Sequence, residues 1–96
     1  MFVLITYDVN ITSVNGAKRL RNVARVCKDY GKRVQNSVFE CLLTEAQLVV
    51  LKNQLNKIID KKQDSIRIYL LGKNWKNKVE NIGQNTGLDF SDELII

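Results

Sequence analysis

The sequence predicts a small α+β domain whose elements run βαββαβ, and three observations carry that expectation. The chain opens on an apolar run that stops at a carboxylate, Met1 to Asp8. Two later stretches, 15–30 and 44–60, place apolar residues at helical spacing. Short extended stretches rich in Val, Phe, Ile and Tyr follow each of them, at 32–43 and 65–71. At 96 residues, 45% of them apolar, there is material for one domain and one core. Surface outweighs volume in so short a chain, so association with another copy is an expected source of further burial.

Phe2-Val3-Leu4-Ile5-Thr6-Tyr7-Asp8 reads as a central strand covered on both faces, because an apolar run this short and unbroken has no polar side to give to water. Residues 9–16 are rich in turn and capping types and read as a loop. Two readings of Asp8 follow from its place at the strand end. It caps the next turn, a position Asp favours, or it anchors a divalent metal beside a basic segment. The first helix is expected from Asn15 to Tyr30, with Ala17, Leu20, Val23, Ala24, Cys27 and Tyr30 as its apolar stripe. Gly31 is expected to end it in the left-handed conformation.

Residues 32–43 form two short strands with a tight turn or kink at Gln35-Asn36-Ser37. Thr44-Glu45-Ala46-Gln47 spells a capping box. The second helix runs to about Asp60, with Leu48, Leu51, Leu55, Ile58 and Ile59 facing inward. After a polar turn, Ile66, Ile68 and Leu70 alternate with Arg67, Tyr69 and Leu71 in a last strand with two different faces. This order is that of the ferredoxin-like split βαβ fold: an antiparallel four-stranded sheet with both helices on one face and the other face bare. Domain 1–72 is therefore followed by an extension, 73–96. In it Trp75 stacks on a base or packs, Val79 to Ile82 form a short fifth strand, and Leu94-Ile95-Ile96 dock on a second protomer.

A net charge of +5 points to a polyanionic partner. The cations concentrate on the outer face of the first helix, where Lys18, Arg19, Arg21, Arg25 and Lys28 meet only Asp29. A solvated face is one explanation, but such faces usually mix signs. The chain has no histidine, which excludes His-dependent ribonuclease chemistry, Ser-His-Asp triads and zinc sites built on its own histidines. Cys27 and Cys41 form no CxxC pair and fit buried thiols in a reducing cytoplasm. No apolar run is long enough to cross a membrane, and the N-terminus reads as a strand rather than a signal peptide.

Four local patterns in register resemble the CRISPR-associated protein 2 family over residues 1 to 72. They are Leu4-Ile5-Thr6-Tyr7-Asp8, Lys18-Arg19-Leu20-Arg21, the stretch from Gly31 to Glu40, and Asp64-Ser65-Ile66-Arg67-Ile68-Tyr69. The resemblance implies a homodimer with its two sheets face to face. It implies that Asp8 is the metal-binding and catalytic residue, working with Mg2+ or Mn2+. It further implies hydrolysis of single-stranded RNA or duplex DNA, and a bridging role between integrase subunits as a new spacer is acquired. Arg19, Arg21, Arg33, Ser37 and Phe39 match the family's other recurring positions, while Asn36 stands where many members carry an aromatic residue.

Beside the resemblance, the residues themselves leave choices. Magnesium uses one or two carboxylates and keeps several waters. One chain offers Asp8 and, less directly, Glu40; two copies of Asp8 would supply a pair. Lys18, Arg19, Arg21, Arg25 and Arg33 are the expected nucleic-acid contacts, and Tyr7, Ser37 and Phe39 the supporting residues. Tyr7 and Phe39 also read as packing, and Arg33 as a cation at the helix C-terminus. A toxin-type ribonuclease on the same fold is the alternative function. An RRM-type RNA reader is disfavoured because the central strands lack its aromatic pattern.

Overall fold

The computed structural model describes residues 1–84. Strand β1 (Phe2–Asp8) is followed by α1 (Gly16–Tyr30), β2 (Gly31–Gln35), β3 (Val38–Leu42), α2 (Glu45–Ile58) and β4 (Ser65–Gly72). The sheet order is β2-β3-β1-β4 and every neighbouring pair is antiparallel. The expected ferredoxin-like order and the central place of β1 are both realised.

Alternation along β1 divides the sheet into two faces. Val3, Ile5 and Tyr7 point to the helices, where they join Phe39, Cys41, Val23, Cys27, Leu48, Leu51 and Leu55 in one core. Ile5 pairs with Phe39 on one side and Ile68 on the other, so a single core layer crosses three strands. Phe2, Leu4, Thr6 and Asp8 point the opposite way. This second face is not covered along its length, as the apolar run suggested. Phe2 is fully buried there beneath Trp75, their ring centroids 4.8 Å apart, whereas Leu4 and Thr6 are half-buried and Asp8 is exposed. Trp75, at the start of a single helical turn (Trp75–Asn77), thus packs instead of presenting its ring for stacking.

Helix α2 starts where the capping box places it. The Gln47 amide donates to Thr44 Oγ1 at 3.1 Å, and the Thr44 amide donates to Gln47 Oε1 at 2.9 Å. It ends at Ile58, slightly before the expected Asp60, because Ile59 is already extended. Helix α1 keeps its stripe except at Ala17, which is exposed. Gly31 departs from expectation: its φ of −162° is extended, not left-handed. A side chain is barred there by space, since a Cβ would lie 2.3 Å from the Glu40 carbonyl oxygen and 2.4 Å from Cys41 Sγ. Glycine thus lets α1 pass straight into β2 while β2 lies tight against β3. Val79 to Ile82 form no strand in the single chain, and Ile82 is fully exposed. The expected docking of Leu94-Ile95-Ile96 lies outside the described residues. Among the described residues, no helix is long and apolar enough to cross a membrane.

Candidate functional site

Asp8 sits at the C-terminal end of β1, in register with Ser65 at the start of β4, on the sheet face away from the helices. It is exposed. Glu40 occupies the same face, but it pairs with Leu4, four residues back along β1. At strand spacing that is about 13 Å, too far to share an ion with Asp8 in one chain. Among the described residues no three His, Cys, Asp or Glu side chains gather as a metal cluster. A single chain therefore offers one exposed carboxylate at this strand end. That fits half of a magnesium or manganese site in which a second carboxylate comes from another copy and waters fill the rest.

Immediately after Asp8 the chain enters a loop that is tied down at almost every residue. Asn10 Oδ1 accepts from the Thr12 amide at 3.1 Å and from Thr12 Oγ1 at 2.7 Å, closing an Asx-type turn. The Asn10 carbonyl accepts from Ser13 Oγ at 2.6 Å. Gly16 lets α1 start hard against this turn, since a Cβ there would lie 2.2 Å from the Asn10 oxygen. Asn15 takes the left-handed conformation just before it, at φ 61°.

Asp64 lies under the loop with its side chain completely buried. Oδ1 accepts from the Asn10 amide at 3.1 Å, and Oδ2 from the Asp60 amide at 2.9 Å and Arg19 Nε at 2.8 Å. Arg19 spends its other nitrogens on the same loop: Nη1 on the Val14 carbonyl at 2.7 Å, and Nη2 on Ser13 Oγ at 2.6 Å and Asp64 Oδ1 at 3.3 Å. The guanidinium beside it holds the Asp64 carboxyl down at about 2, helped by the two backbone donors and opposed by burial. The same pairing raises Arg19 further.

The remaining cations gather elsewhere. Arg21, Arg25 and Lys28 project from α1 towards β2, and with Arg33, Gly31, Lys32 and Phe39 they line a groove of about 600 Å³. Among the described residues no carboxylate lines it. Arg33 lies over the Phe39 ring, 5.2 Å from its centroid. Phe39 itself is fully buried, so it carries Arg33 and offers no face to a base. Tyr7 stands 6.2 Å from Phe39 and fixes the β2–β3 turn. Its hydroxyl donates to the Asn36 carbonyl at 3.2 Å, and its amide to the Ser37 carbonyl at 3.1 Å. Burial raises the Tyr7 phenol, with Arg33 partly offsetting the effect. Tyr7 and Phe39 thus pack in the core, and Ser37 enters only through its backbone carbonyl.

The structure brings Arg21, Arg25 and Arg33 together and adds Lys28. It leaves Lys18 exposed outside the groove lining, takes Arg19 into the loop network beside Asp8, and keeps Asp8 apart from the groove. Asp64, Asn10 and Ser13 were missed in the sequence, where they read as turn residues and nothing links them to Arg19. Burial pushes the thiols of Cys27 and Cys41 up to about 12 and about 11, as inert core groups.

The sequence model of the family described as CRISPR associated protein Cas2 matches residues 1–79. The chain is 56% identical over 95 residues to the CRISPR-associated endonuclease Cas2 of Halalkalibacterium halodurans, covering 99% of each. It is 48% identical to the CRISPR-associated endoribonuclease Cas2 of Nitratidesulfovibrio vulgaris, covering all of this chain and 94% of that one. Among solved structures, that of Streptococcus pyogenes Cas2 at pH 6.5 superposes with a TM-score of 0.75 at 61% identity, covering 86% of this chain and 100% of that chain.

Proposed function

The chain belongs to the CRISPR associated protein Cas2 family, and from that premise we propose that it is a nucleic-acid-binding homodimer of CRISPR adaptation with a secondary, metal-dependent phosphodiesterase activity at Asp8. The carrying observation is Asp8 itself, an exposed carboxylate at the end of the central strand on the sheet face that the helices leave open. Relatives named endonuclease and endoribonuclease support a CRISPR-associated nuclease.

A second copy laid on the open face would cover Leu4, Val38, Leu42, Leu71 and the part-exposed Tyr69, and could bring two Asp8 carboxylates to one ion. A bound Mg2+ or Mn2+ supplies Lewis-acid stabilisation of the phosphate oxygens and lowers the pKa of the attacking water. The chain's own part is to offer Asp8, which among the described residues is in no ion pair, and to hold the phosphate backbone through its groove. With no histidine in the chain, and with the neighbouring Asp64 buried and paired with Arg19, proton transfer is left largely to solvent, and slow hydrolysis is expected. The principal role in this reading is to hold duplex DNA and bridge integrase subunits, with RNA as a further substrate.

Asp8→Asn tests the enzymatic half. Cleavage of single-stranded RNA and duplex DNA that requires Mg2+ or Mn2+ and stops with EDTA should fall to background in the variant. Dimerisation and duplex binding should persist, since neither needs the ion. Cleavage at the unmodified rate in purified Asp8→Asn removes Asp8 from the reaction.

A further inference from the structure

We infer that Arg19 is a positioning residue for the Asp8 site and not a phosphate contact: paired with Asp64, it fixes the backbone that leaves Asp8 and thereby sets the affinity of Asp8 for a divalent ion. The inference rests on the proposed reading of Asp8 as a metal ligand.

Arg19 stands in the most basic segment of the chain, yet all three of its guanidinium nitrogens are already engaged. Nε, Nη1 and Nη2 each hold an acceptor within the protein at 2.8 Å or closer, and Nη2 also reaches Asp64 Oδ1 at 3.3 Å. Its side chain is only 12% exposed. Turning the guanidinium out to grip a phosphate would leave Asp64 uncompensated in a fully buried position, which is strongly unfavourable. The groove cations Arg21, Arg25, Lys28 and Arg33 carry no such obligation. Among the described residues none of them is in an ion pair.

What Arg19 holds is the ground next to Asp8. Asp64 Oδ1 accepts from the amide of Asn10, two residues past Asp8, and the next residue after Asp64, Ser65, is the register partner of Asp8. Arg19 binds the far end of the same loop through Val14 and Ser13. The two strand ends and the loop are thus tied to a single carboxylate–guanidinium pair. Residues that orient a ligand commonly govern metal affinity by 10- to 100-fold.

The sign of the effect separates positioning from simple electrostatics. Removing a cation near a metal-binding carboxylate should tighten binding of a divalent ion if charge alone acts. Loss of position should weaken it. The experiment measures Mn2+ binding to the intact protein, by the electron paramagnetic resonance signal of free Mn2+, for the unmodified protein, Asp8→Asn, Arg19→Gln, Arg19→Lys and Arg21→Gln. The salt dependence of duplex binding is measured on the same set. The expected result is about 10-fold or greater weakening of Mn2+ binding in Arg19→Gln, with the salt slope of duplex binding unchanged. Arg21→Gln should show the reverse: Mn2+ affinity kept and the slope smaller by about one.

Arg19→Lys keeps the charge but cannot reach Asp64, Val14 and Ser13 together. It should weaken Mn2+ in the same direction, and it carries the comparison if Arg19→Gln does not fold. Unchanged or tighter Mn2+ binding in the Arg19 variants, or a slope reduced as in Arg21→Gln, overturns the inference. Mn2+ binding that is equal in Asp8→Asn and the unmodified protein shows instead that Asp8 is not the ligand, and the inference falls with that reading.

Discussion

Replacing Asp64 by alanine should be among the most destabilising single changes outside the core. The carboxylate is completely buried and accepts from the Asn10 and Asp60 amides and from Arg19. Alanine strands both amides at about 1–3 kcal/mol each if water does not replace the acceptor, and part of that is recovered by water entering the polar gap. The charge component has a separate estimate. A carboxyl held at about 2 instead of 3.8 stabilises the folded state at neutral pH by about 1–2 kcal/mol, after allowing for solvent near Arg19. The two overlap, since the same amides help to hold the carboxyl down, and with water entering the gap the net loss is about 2–4 kcal/mol, or roughly 10–25 °C in Tm for a chain of this length. Because the folded value lies below the unfolded one, the charge component is fully present above about pH 4 and is lost as pH falls towards 2. Urea unfolding at fixed protomer concentration, followed from pH 7 down to pH 3, measures both. The gap between the unmodified protein and Asp64→Ala should narrow with acid. A loss below about 0.5 kcal/mol at pH 7, the level of an ordinary surface change, would refute the claim that this pair organises the loop.

Gly31→Ala should lower the urea midpoint by an amount typical of overpacking, about 1–3 kcal/mol, because the added Cβ meets both the Glu40 carbonyl and Cys41 Sγ. A neutral result would mean that β2 shifts freely. Cys27 and Cys41, fully buried with thiols raised to about 12 and about 11, should react with a thiol reagent at pH 8 only at the rate of unfolding. Fast modification of folded protein would contradict that burial. Changing Arg21 and Arg25 together to glutamine should reduce the salt slope of duplex binding by about two, and an unchanged slope would move the phosphate contacts off the groove.

What was legible in the sequence is what depends on near neighbours. The capping box at Thr44 and Gln47, the stripe of α2 and the turn at Asn36 and Ser37 are each written within a few residues, and each is found where expected. What was not legible depends on who meets whom. Phe2 reads as doubly covered, which holds only because Trp75, far along the chain, lies on it. Gly31 looks like a helix terminator, and its real constraint is the approach of Cys41 from β3. Arg19 looks like one more cation of a basic face, and Asp64, 45 residues away, decides otherwise. A residue count cannot distinguish a buried ion pair from two surface charges.

That distinction bears on how the two proposed activities relate. Arg33 pairs with Phe39, a helix-facing position, and the groove it lines opens between α1 and β2 at one edge of the sheet. Asp8 is on the opposite face, on β1, with β3 between the two strands. The offset is about 10 Å across the sheet in addition to the sheet's own thickness. A phosphate seated in the groove is therefore not presented to Asp8 of the same chain. A reacting phosphate needs its attacking group within roughly 3–3.5 Å, so hydrolysis calls for a second contact surface, whereas gripping a duplex calls only for the groove. In the proposed reading this division favours binding as the first task of the chain and would make cleavage at Asp8 contingent on what a second copy places over the open face.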